Sequence, residues 1–208
     1  MVKVQLRKRG IQDERVLAAM SRIPRHEFVP QELLREAYED HPLPIGGGQT
    51  ISQPYIVAAM VESLSLRGTE RVLEVGTGSG YQAAVLARLA ARVCTIECAP
   101  TLARTAQDRL DRLGLGDNVE VIEGDGSGGY VPAAPYDAIL VAAAAPDMPM
   151  QFVEQLVEGG RLAIPVGGRE SQELRLIRKV SGSPAISNLG YCRFVPLLGA
   201  YGWEKIQK

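Results

Sequence analysis

The amino-acid sequence predicts an α/β protein with a doubly wound, mostly parallel sheet, an antiparallel C-terminal edge and additional helices at the N-terminus. Apolar segments of strand length alternate with helix-like segments across residues 71–166, a pattern typical of parallel strands joined by crossover helices. A glycine-rich turn follows the first of these strands, as in folds that bind nucleotide cofactors. Two further strand-like segments, residues 173–180 and 191–198, have no helix between them, which predicts an antiparallel addition at one edge.

The N-terminal part of the chain is predicted to be helical. From Asp13, a predicted helix cap, apolar residues recur at helical spacing until Pro24 ends the pattern. A short helix is predicted over residues 31–38, and another over residues 55–64. The basic run within residues 3–9 is interpreted as a solvated helix face.

The loop at residues 45–54 combines three consecutive glycines with small polar side chains. Glycines are costly to order, so three in a row indicate positive φ angles or a close approach to another group. One interpretation is a segment that wraps around a ligand, because functional residues concentrate in loops. The alternative is a simple connector into the helix at 55–64, with Ser52 as the helix cap. Composition alone leaves both interpretations open.

The central element is a strand, a turn and a helix. Residues 71–75 form a short apolar strand, and an alanine- and leucine-rich helix is predicted over residues 82–90. Between them, residues 76–80 read Gly-Thr-Gly-Ser-Gly, and Tyr81 stands where a dinucleotide fingerprint has its third glycine. That spacing disfavours a nicotinamide cofactor. The turn either binds another cofactor through free backbone amides of the following helix, or is a tight strand-to-helix connection.

Three acidic residues lie in or just after predicted strands. Glu74 interrupts the apolar first strand, and its carboxylate suits a cationic group such as the ammonium or sulfonium of S-adenosylmethionine. Glu97 ends the strand at 93–97, 21 positions after Gly76, where doubly wound folds place the acid that binds ribose hydroxyls. Asp125, between two glycines, can accept a hydrogen bond from an adenine amino group, or can form an Asp-Gly turn. Together these carboxylates favour an adenosine-bearing ligand.

The remaining core elements follow the same alternation. Pro100 opens a helix with an apolar stripe, which ends at a glycine. The later predictions are strands at residues 119–122, 136–141 and 162–166, and a helix at residues 149–157 that is terminated by the glycines at 159–160.

Composition and charge narrow the class of protein. The 208 residues, 46% of them hydrophobic, fit one domain, with N-terminal helices and loop (1–65), a cofactor-binding core (66–170) and a C-terminal β segment (171–208). A formal net charge of -1 argues against a nucleic-acid partner. Three cysteines that cannot all pair, without metal-ligand spacing, indicate a reducing compartment and no structural metal. The chain shows neither a secretion signal nor an apolar run of membrane-spanning length, so a cytoplasmic location is expected.

The sequence resembles the protein-L-isoaspartate O-methyltransferase family over residues 28–203. The strongest matches are Gly-Gln-Thr-Ile-Ser-Gln-Pro at 48–54 and Val-Leu-Glu-Val-Gly-Thr-Gly-Ser-Gly-Tyr-Gln-Ala-Ala at 72–84. The second motif is common to S-adenosylmethionine-dependent methyltransferases, whereas the first is specific to this family. Shorter matches lie at residues 124–126, 135–139, 159–162, 165–167 and 194–197.

The resemblance implies transfer of a methyl group from S-adenosyl-L-methionine to the carboxylate of L-isoaspartyl residues in damaged proteins and peptides, which initiates their repair. By this resemblance, Ser52 corresponds to the family's active-site serine. Thr50, Ile51 and Pro54 correspond to the family's substrate-binding loop. The implied cofactor-binding residues are Gln49, Thr50, Glu74, Gly76, Thr77, Gly78, Glu97, Cys98, Asp125 and Gly126. The expected partners are isoaspartyl proteins and peptides, without nucleic acid or membrane, and a monomer is expected.

Two other interpretations are weighed against this one. A methyltransferase for small molecules or nucleic acid would share the cofactor half but would not need the loop at 46–54, and an RNA enzyme would need a basic face that the charge count does not suggest. A non-catalytic nucleotide-binding protein would have no need for both Ser52 and the acidic residues.

Overall fold

The computed structural model describes residues 1–204; residues 205–208, the end of the expected C-terminal β segment, lie outside the described part. The strands of the main sheet are β3 Arg71–Val75, β4 Arg92–Glu97, β5 Val119–Glu123, β6 Tyr136–Val141, β7 Leu156–Gly167, β8 Gln172–Val180 and β9 Ser183–Cys192. Their spatial order is β5-β4-β3-β6-β7-β8-β9. Two short strands, β1 Leu43–Gly46 and β2 Gln49–Ile51, form a separate antiparallel hairpin.

The helices lie in the connections between strands and at the N-terminus. The α-helices are α1 Glu14–Arg22, α2 Pro54–Ser63, α3 Tyr81–Ala87, α4 Pro100–Arg112 and α5 Met150–Glu154. A π-helical turn covers Val2–Leu6, and 3₁₀ turns cover Arg7–Arg9, Arg25–Phe28, Gln31–Glu36 and Val131–Ala133. Asp13 caps α1 as predicted, because its carboxylate accepts hydrogen bonds from the backbone amides of Arg15 and Val16.

The sheet is doubly wound and mostly parallel, as predicted. β3 pairs in parallel with both β4 and β6, and β8 and β9 add antiparallel strands beyond β7. The chain starts at the central strand β3, moves outward to β4 and β5, then returns to β6 and continues in the opposite direction. The winding therefore reverses between β3 and β6, and ligands of such folds bind at the carboxyl ends of strands at this point.

Both faces of the central strands are buried. Val72 packs into a cluster with residues of α1, α2 and α3, whereas the next residue, Leu73, packs on the opposite face with residues of β6 and with Phe152 of α5. This explains why the strands read as continuous apolar runs rather than alternating ones. The result is a sheet held rigidly between two apolar layers.

The elements predicted at residues 31–38 and 149–157 differ from the observed ones in type or length. The segment at 31–38 forms only 3₁₀ turns over Gln31–Glu36, because none of these side chains is buried to stabilise an α-helix. The helix predicted at 149–157 ends at Glu154, and β7 begins at Leu156 and passes through the glycines at 159–160. Gly159 has a φ of +77° and the β6–β7 register shifts nearby, so these glycines form an irregularity within the strand instead of a helix stop.

The strand predicted at 191–198 is displaced. The observed strand β9 is Ser183–Cys192, because a tight turn at Ser181 and Gly182, both with positive φ, folds it directly onto β8. Most residues of β9 are exposed, so the strand has no apolar run by which the sequence could predict it. The segment after Arg193 leaves the sheet edge and crosses to the carboxyl end of β6, where the backbone amide of Ala144 donates to the Val195 carbonyl at 2.8 Å.

The hairpin β1–β2 gives the reason for the three consecutive glycines. Gly46, Gly47 and Gly48 have φ angles of +93°, +60° and +73°, a region that other residues enter only with strain. A Cβ atom at any of the three would meet no atom within 4 Å. The turn therefore requires glycine for its backbone angles and not for close approach to another group.

Within residues 1–204, no helix has both the length and the apolar character needed to cross a lipid bilayer.

Candidate active site

The main cavity lies where the sheet reverses its winding. Its walls include the turn after β3, the end of β4 and the residues after β6, which are the carboxyl ends of neighbouring parallel strands. Its empty space, including the open mouth, is about 780 Å³. The β1–β2 hairpin and the segment of residues 195–198 close it from the other side.

The glycine turn brings backbone to the cavity wall. Gly76, Gly78 and Gly80 have φ angles of +92°, +55° and +86°, which glycine alone adopts without strain. A Cβ on Gly80 would lie 3.3 Å from the Cβ of Ala106 in α4, and a Cβ on Gly78 would lie 3.4 Å from the Ile45 side chain of the hairpin. The turn is therefore fixed by backbone angles and by close packing on both sides.

Glu97 presents a fixed carboxylate at the end of β4. Its side chain is buried and lines the cavity. Oε2 accepts a hydrogen bond from the Gly78 amide at 2.9 Å, and Oε1 accepts one from the Ala99 amide at 3.0 Å. An ionised carboxylate has about four lone-pair sites, so Glu97 retains capacity for ligand hydroxyls.

The Glu74 side chain does not reach the cavity wall. It is fully buried, and Oε2 accepts a hydrogen bond at 2.5 Å from the Thr95 hydroxyl. That hydroxyl lies 2.6 Å from the hydroxyl of Thr77, which lines the cavity. Burial raises the pKa of Glu74 to about 8, although its hydrogen bonds with Thr95 and Gln82 act in the opposite direction. The carboxyl group is therefore linked to the cavity through two hydroxyls, instead of facing a ligand directly.

Asp125 also lies outside the cavity lining, whereas Gly126 is part of it. Oδ1 of Asp125 accepts a hydrogen bond from the Ser127 amide, and Oδ2 accepts one from the Ala200 amide, both at 2.8 Å. The first bond is the turn-forming contact of the alternative interpretation. The second ties the C-terminal segment to the loop after β5. A Cβ on Gly126 would lie 2.6 Å from the Ile96 side chain, so packing against β4 requires glycine there.

Ser52 lies where the main cavity meets a second cavity. The two cavities share Thr50, Ser52, Ala142 and Val195. The interpretation of Ser52 as a helix cap is wrong, because α2 starts at Pro54 with Gln53 in the cap position, and no side chain caps it. Ser52 is therefore free to face the cavities.

The second cavity has an aromatic and cationic mouth. The Arg9 guanidinium lies 3.6 Å from the centroid of the Tyr55 ring and forms an ion pair with Asp40. Tyr191 and Arg193, at the end of β9, line the same cavity.

A strap of residues 194–203 covers one side of the main cavity. The Leu197 amide donates to the Ala144 carbonyl at 2.8 Å, and Trp203 Nε1 donates to the same oxygen at 3.1 Å. Residues 195–198 of the strap line the cavity. The sequence predicts a strand at residues 191–198, so it does not predict that this segment lines the site.

The structure brings most of the predicted site residues together. The main cavity is lined by Gln49, Thr50, Ile51, Ser52, Gly76, Thr77, Gly78, Glu97, Cys98 and Gly126. It does not include Glu74, Asp125 or Pro54; Pro54 is buried in the first turn of α2 and lines neither cavity. Sequence reasoning missed Ala142 and Ala143, which the rule for carboxyl strand ends could have identified. It also missed Tyr81 and Gln82, which open α3 and face the cavity.

The doubly wound fold with a cavity at its strand ends, compared with known proteins, places the chain among methyltransferases that use S-adenosylmethionine. The model of the family Protein-L-isoaspartate(D-aspartate) O-methyltransferase (PCMT) matches residues 1–202. The protein-L-isoaspartate O-methyltransferase of Methanoculleus marisnigri is 57% identical over 204 residues, which are 98% of this chain and 92% of that protein. The chain therefore belongs to the protein-L-isoaspartate O-methyltransferase family.

Solved structures agree with this assignment. A protein-L-isoaspartate O-methyltransferase is 31% identical with a TM-score of 0.83, and the similarity covers 94% of this chain and 64% of that one. This chain thus spans slightly less than two thirds of that structure. A Plasmodium falciparum structure assigned to the same activity, in complex with S-adenosyl-L-homocysteine, is 27% identical with a TM-score of 0.80 and covers 92% of this chain and 94% of that one.

Proposed function

We propose that this protein transfers a methyl group from S-adenosyl-L-methionine to the free carboxylate of L-isoaspartyl residues in proteins and peptides, and so initiates their repair. One observation carries the proposal beyond family membership. The cavity at the strand ends adjoins a second cavity at Thr50 and Ser52, because both residues line both cavities. A donor and an acceptor can therefore meet at Ser52 from opposite sides.

The residues at this junction suit a carboxylate acceptor. A carboxyl group with an ordinary pKa of about 4 is already ionised at neutral pH, so the acceptor needs no general base. Bound S-adenosylmethionine supplies an electrophilic methyl group. The task left to the protein is to hold one carboxylate oxygen about 3 Å from that methyl group, in line, and to exclude water. The Ser52 hydroxyl can donate a hydrogen bond to the other oxygen and fix this orientation.

The main cavity fits the adenosyl cofactor. Glu97 has free acceptor capacity for the ribose hydroxyls, and Gln82 also lines the cavity. We assign the cofactor to Gln49, Thr50, Gly76, Thr77, Gly78, Glu97, Cys98 and Gly126, and the acceptor to Thr50, Ile51 and Ser52. Glu74 acts through Thr95 and Thr77, and Asp125 acts by fixing its loop. Pro54 serves by fixing the start of α2.

We further propose that the protein acts as a monomer in the cytoplasm, without nucleic acid or a membrane. The near-neutral net charge of -1 supports the absence of a nucleic-acid partner. The sequence has three cysteines, which cannot all pair with one another, and this suits a reducing compartment. Size-exclusion chromatography with light scattering measures the oligomeric state, and a mass of twice 22.5 kDa would contradict a monomer.

The function is tested with two peptides that differ only in isoaspartate versus aspartate at one position. The protein is incubated with S-adenosylmethionine carrying a labelled methyl group, and base-labile ester is counted. We expect label on the isoaspartyl peptide alone. Equal labelling of both peptides, or of added RNA, would contradict the proposed acceptor. Absence of transfer to any acceptor, by a protein that still binds S-adenosylhomocysteine, would favour a binding protein.

A further inference from the structure

Arg25 is the largest fully buried side chain in the described chain, at 0% exposure. It lies in the 3₁₀ turn Arg25–Phe28, between α1 and the hairpin β1–β2. A buried guanidinium is costly, because desolvation disfavours its charge, and here burial lowers the pKa of Arg25. No carboxylate forms an ion pair with it within residues 1–204, so its stabilisation must come from other contacts.

Those contacts link three different segments. Nε donates to the Ala37 carbonyl and Nη2 donates to the Ser52 carbonyl, both at 2.8 Å. The guanidinium carbon also lies 4.8 Å from the centroid of the Tyr81 ring, a cation–π distance. Tyr81 is the first residue of α3 and lines the main cavity. Arg25 therefore touches the residue that faces the acceptor and the residue that follows the glycine turn.

We infer that Arg25 is a positioning residue, which sets the distance between the Ser52 segment and the cofactor turn by holding the Ser52 carbonyl and the Tyr81 ring at once. The inference rests on the proposed function, because Ser52 is the acceptor-facing residue only in that account. The bond from Arg25 is a contact that holds the Ser52 backbone to the N-terminal part of the chain. Lysine cannot replace this fork, because one ammonium does not reproduce two donors at fixed separation with a planar face.

The test measures turnover, the KM for an isoaspartyl peptide and the Kd for S-adenosylhomocysteine in Arg25→Lys and Arg25→Met. We expect kcat/KM to fall by a factor of about 10 to 100, the equivalent of one lost charged hydrogen bond, while the Kd for S-adenosylhomocysteine changes less than about twofold. A fall in cofactor affinity equal to the fall in kcat/KM would overturn the inference, because it would show general damage to the cavity. Wild-type kinetics in Arg25→Lys would also overturn the inference. If Arg25→Met does not fold, Arg25→Lys alone provides the test.

Arg15, which is exposed, provides a comparison. It too donates to two backbone carbonyls, those of Leu66 and Leu89, at 2.6 and 3.4 Å, but neither residue lines a cavity. Arg15→Met should therefore lower the melting temperature without changing kcat/KM at a temperature where it is folded. If Arg25→Met and Arg15→Met gave the same kinetics, Arg25 would be merely structural.

A double-mutant cycle separates positioning from stability. If Arg25 acts through Ser52, then Arg25→Lys should cost much less turnover in a Ser52→Ala background than in the wild type. Additive losses would overturn the inference. Failure of the proposed function is distinguishable, because then the wild-type protein itself would not methylate the isoaspartyl peptide.

Discussion

Ser52 and Glu97 lie on the walls of one cavity, but their substitution should affect different quantities. Replacing Ser52 should lower turnover, and replacing Glu97 should weaken cofactor binding. Ser52 stands at the junction with the second cavity, whereas Glu97 holds the Gly78 amide and faces the glycine turn. We expect Ser52→Ala to lower kcat by a factor of about 10 to 1,000, in the range for lost orienting donors, with nearly unchanged affinity for S-adenosylhomocysteine.

We expect Glu97→Ala to weaken the affinity for S-adenosylhomocysteine by about 1 to 3 kcal/mol, since ligand and backbone donors lose their acceptor. Calorimetric titration and initial rates measure both; loss of cofactor binding in Ser52→Ala would show that its assigned role is wrong.

Glu74 makes stability depend on pH. Its pKa rises from an ordinary 4.5 to about 8 because burial disfavours the charged form. Between these two values the unfolded chain has released the proton and the folded protein retains it, so the free energy of unfolding falls as pH rises and levels off above about 8. Glu74→Gln, which cannot ionise, should flatten that slope. Urea denaturation at about pH 5, 6, 7 and 8 measures the slope; parallel profiles for the two proteins would contradict a buried neutral carboxyl group.

The β1–β2 hairpin is the element that carries the acceptor loop, and its turn can be strained without touching the cavity. A Cβ on Gly47, with a φ of +60°, would meet no atom within 4 Å. Gly47→Ala should therefore cost about 1 kcal/mol of stability through backbone strain. It should also raise the KM for the peptide, because β2 contains Thr50 and leads into Ser52. Steady-state kinetics and thermal unfolding measure the two effects.

Gly182, in the β8–β9 turn, is the matched control for that variant. It has a φ of +75° and equally open surroundings, but it lies in neither cavity. Gly182→Ala should lose a similar amount of stability with an unchanged KM. If both variants raised the KM equally, the hairpin would have no special role in acceptor binding.

Elements with strong local signals were predictable from the sequence, and those set by tertiary contacts were not. β3 and β6 were predicted to the residue, because β3 ends directly before Gly76 and β6 begins directly after Pro135. β9 was missed since its exposed residues, such as Asn188, carry no apolar pattern and the turn at Gly182 decides its pairing. The strap was missed for a related reason: its path to Ala144 depends on backbone bonds across the molecule.

At the scale of the whole molecule, the site follows from topology more than from any one motif. The strand order places the turn after β3, the end of β4 and the residues after β6 at one edge. Sequence spacing could identify Gly76, Gly78 and Glu97 there, because strand ends and glycine turns have local signals. It could not separate a carboxylate that faces the cavity from one buried behind it, as with Glu74, or one that binds the strap, as with Asp125. Those distinctions depend on side-chain directions that only the packed fold determines.

The central claim is that donor and acceptor meet at Ser52 from two adjoining cavities. A crystal structure with S-adenosylhomocysteine and an isoaspartyl peptide bound together measures this directly. The account predicts the adenosyl group against Glu97, the thioether sulfur directed at the junction of Thr50 and Ser52, and the free carboxylate of the peptide on the opposite side of that junction, next to the Ser52 hydroxyl. A peptide bound on another face, or a sulfur pointing away from Ser52, would contradict it.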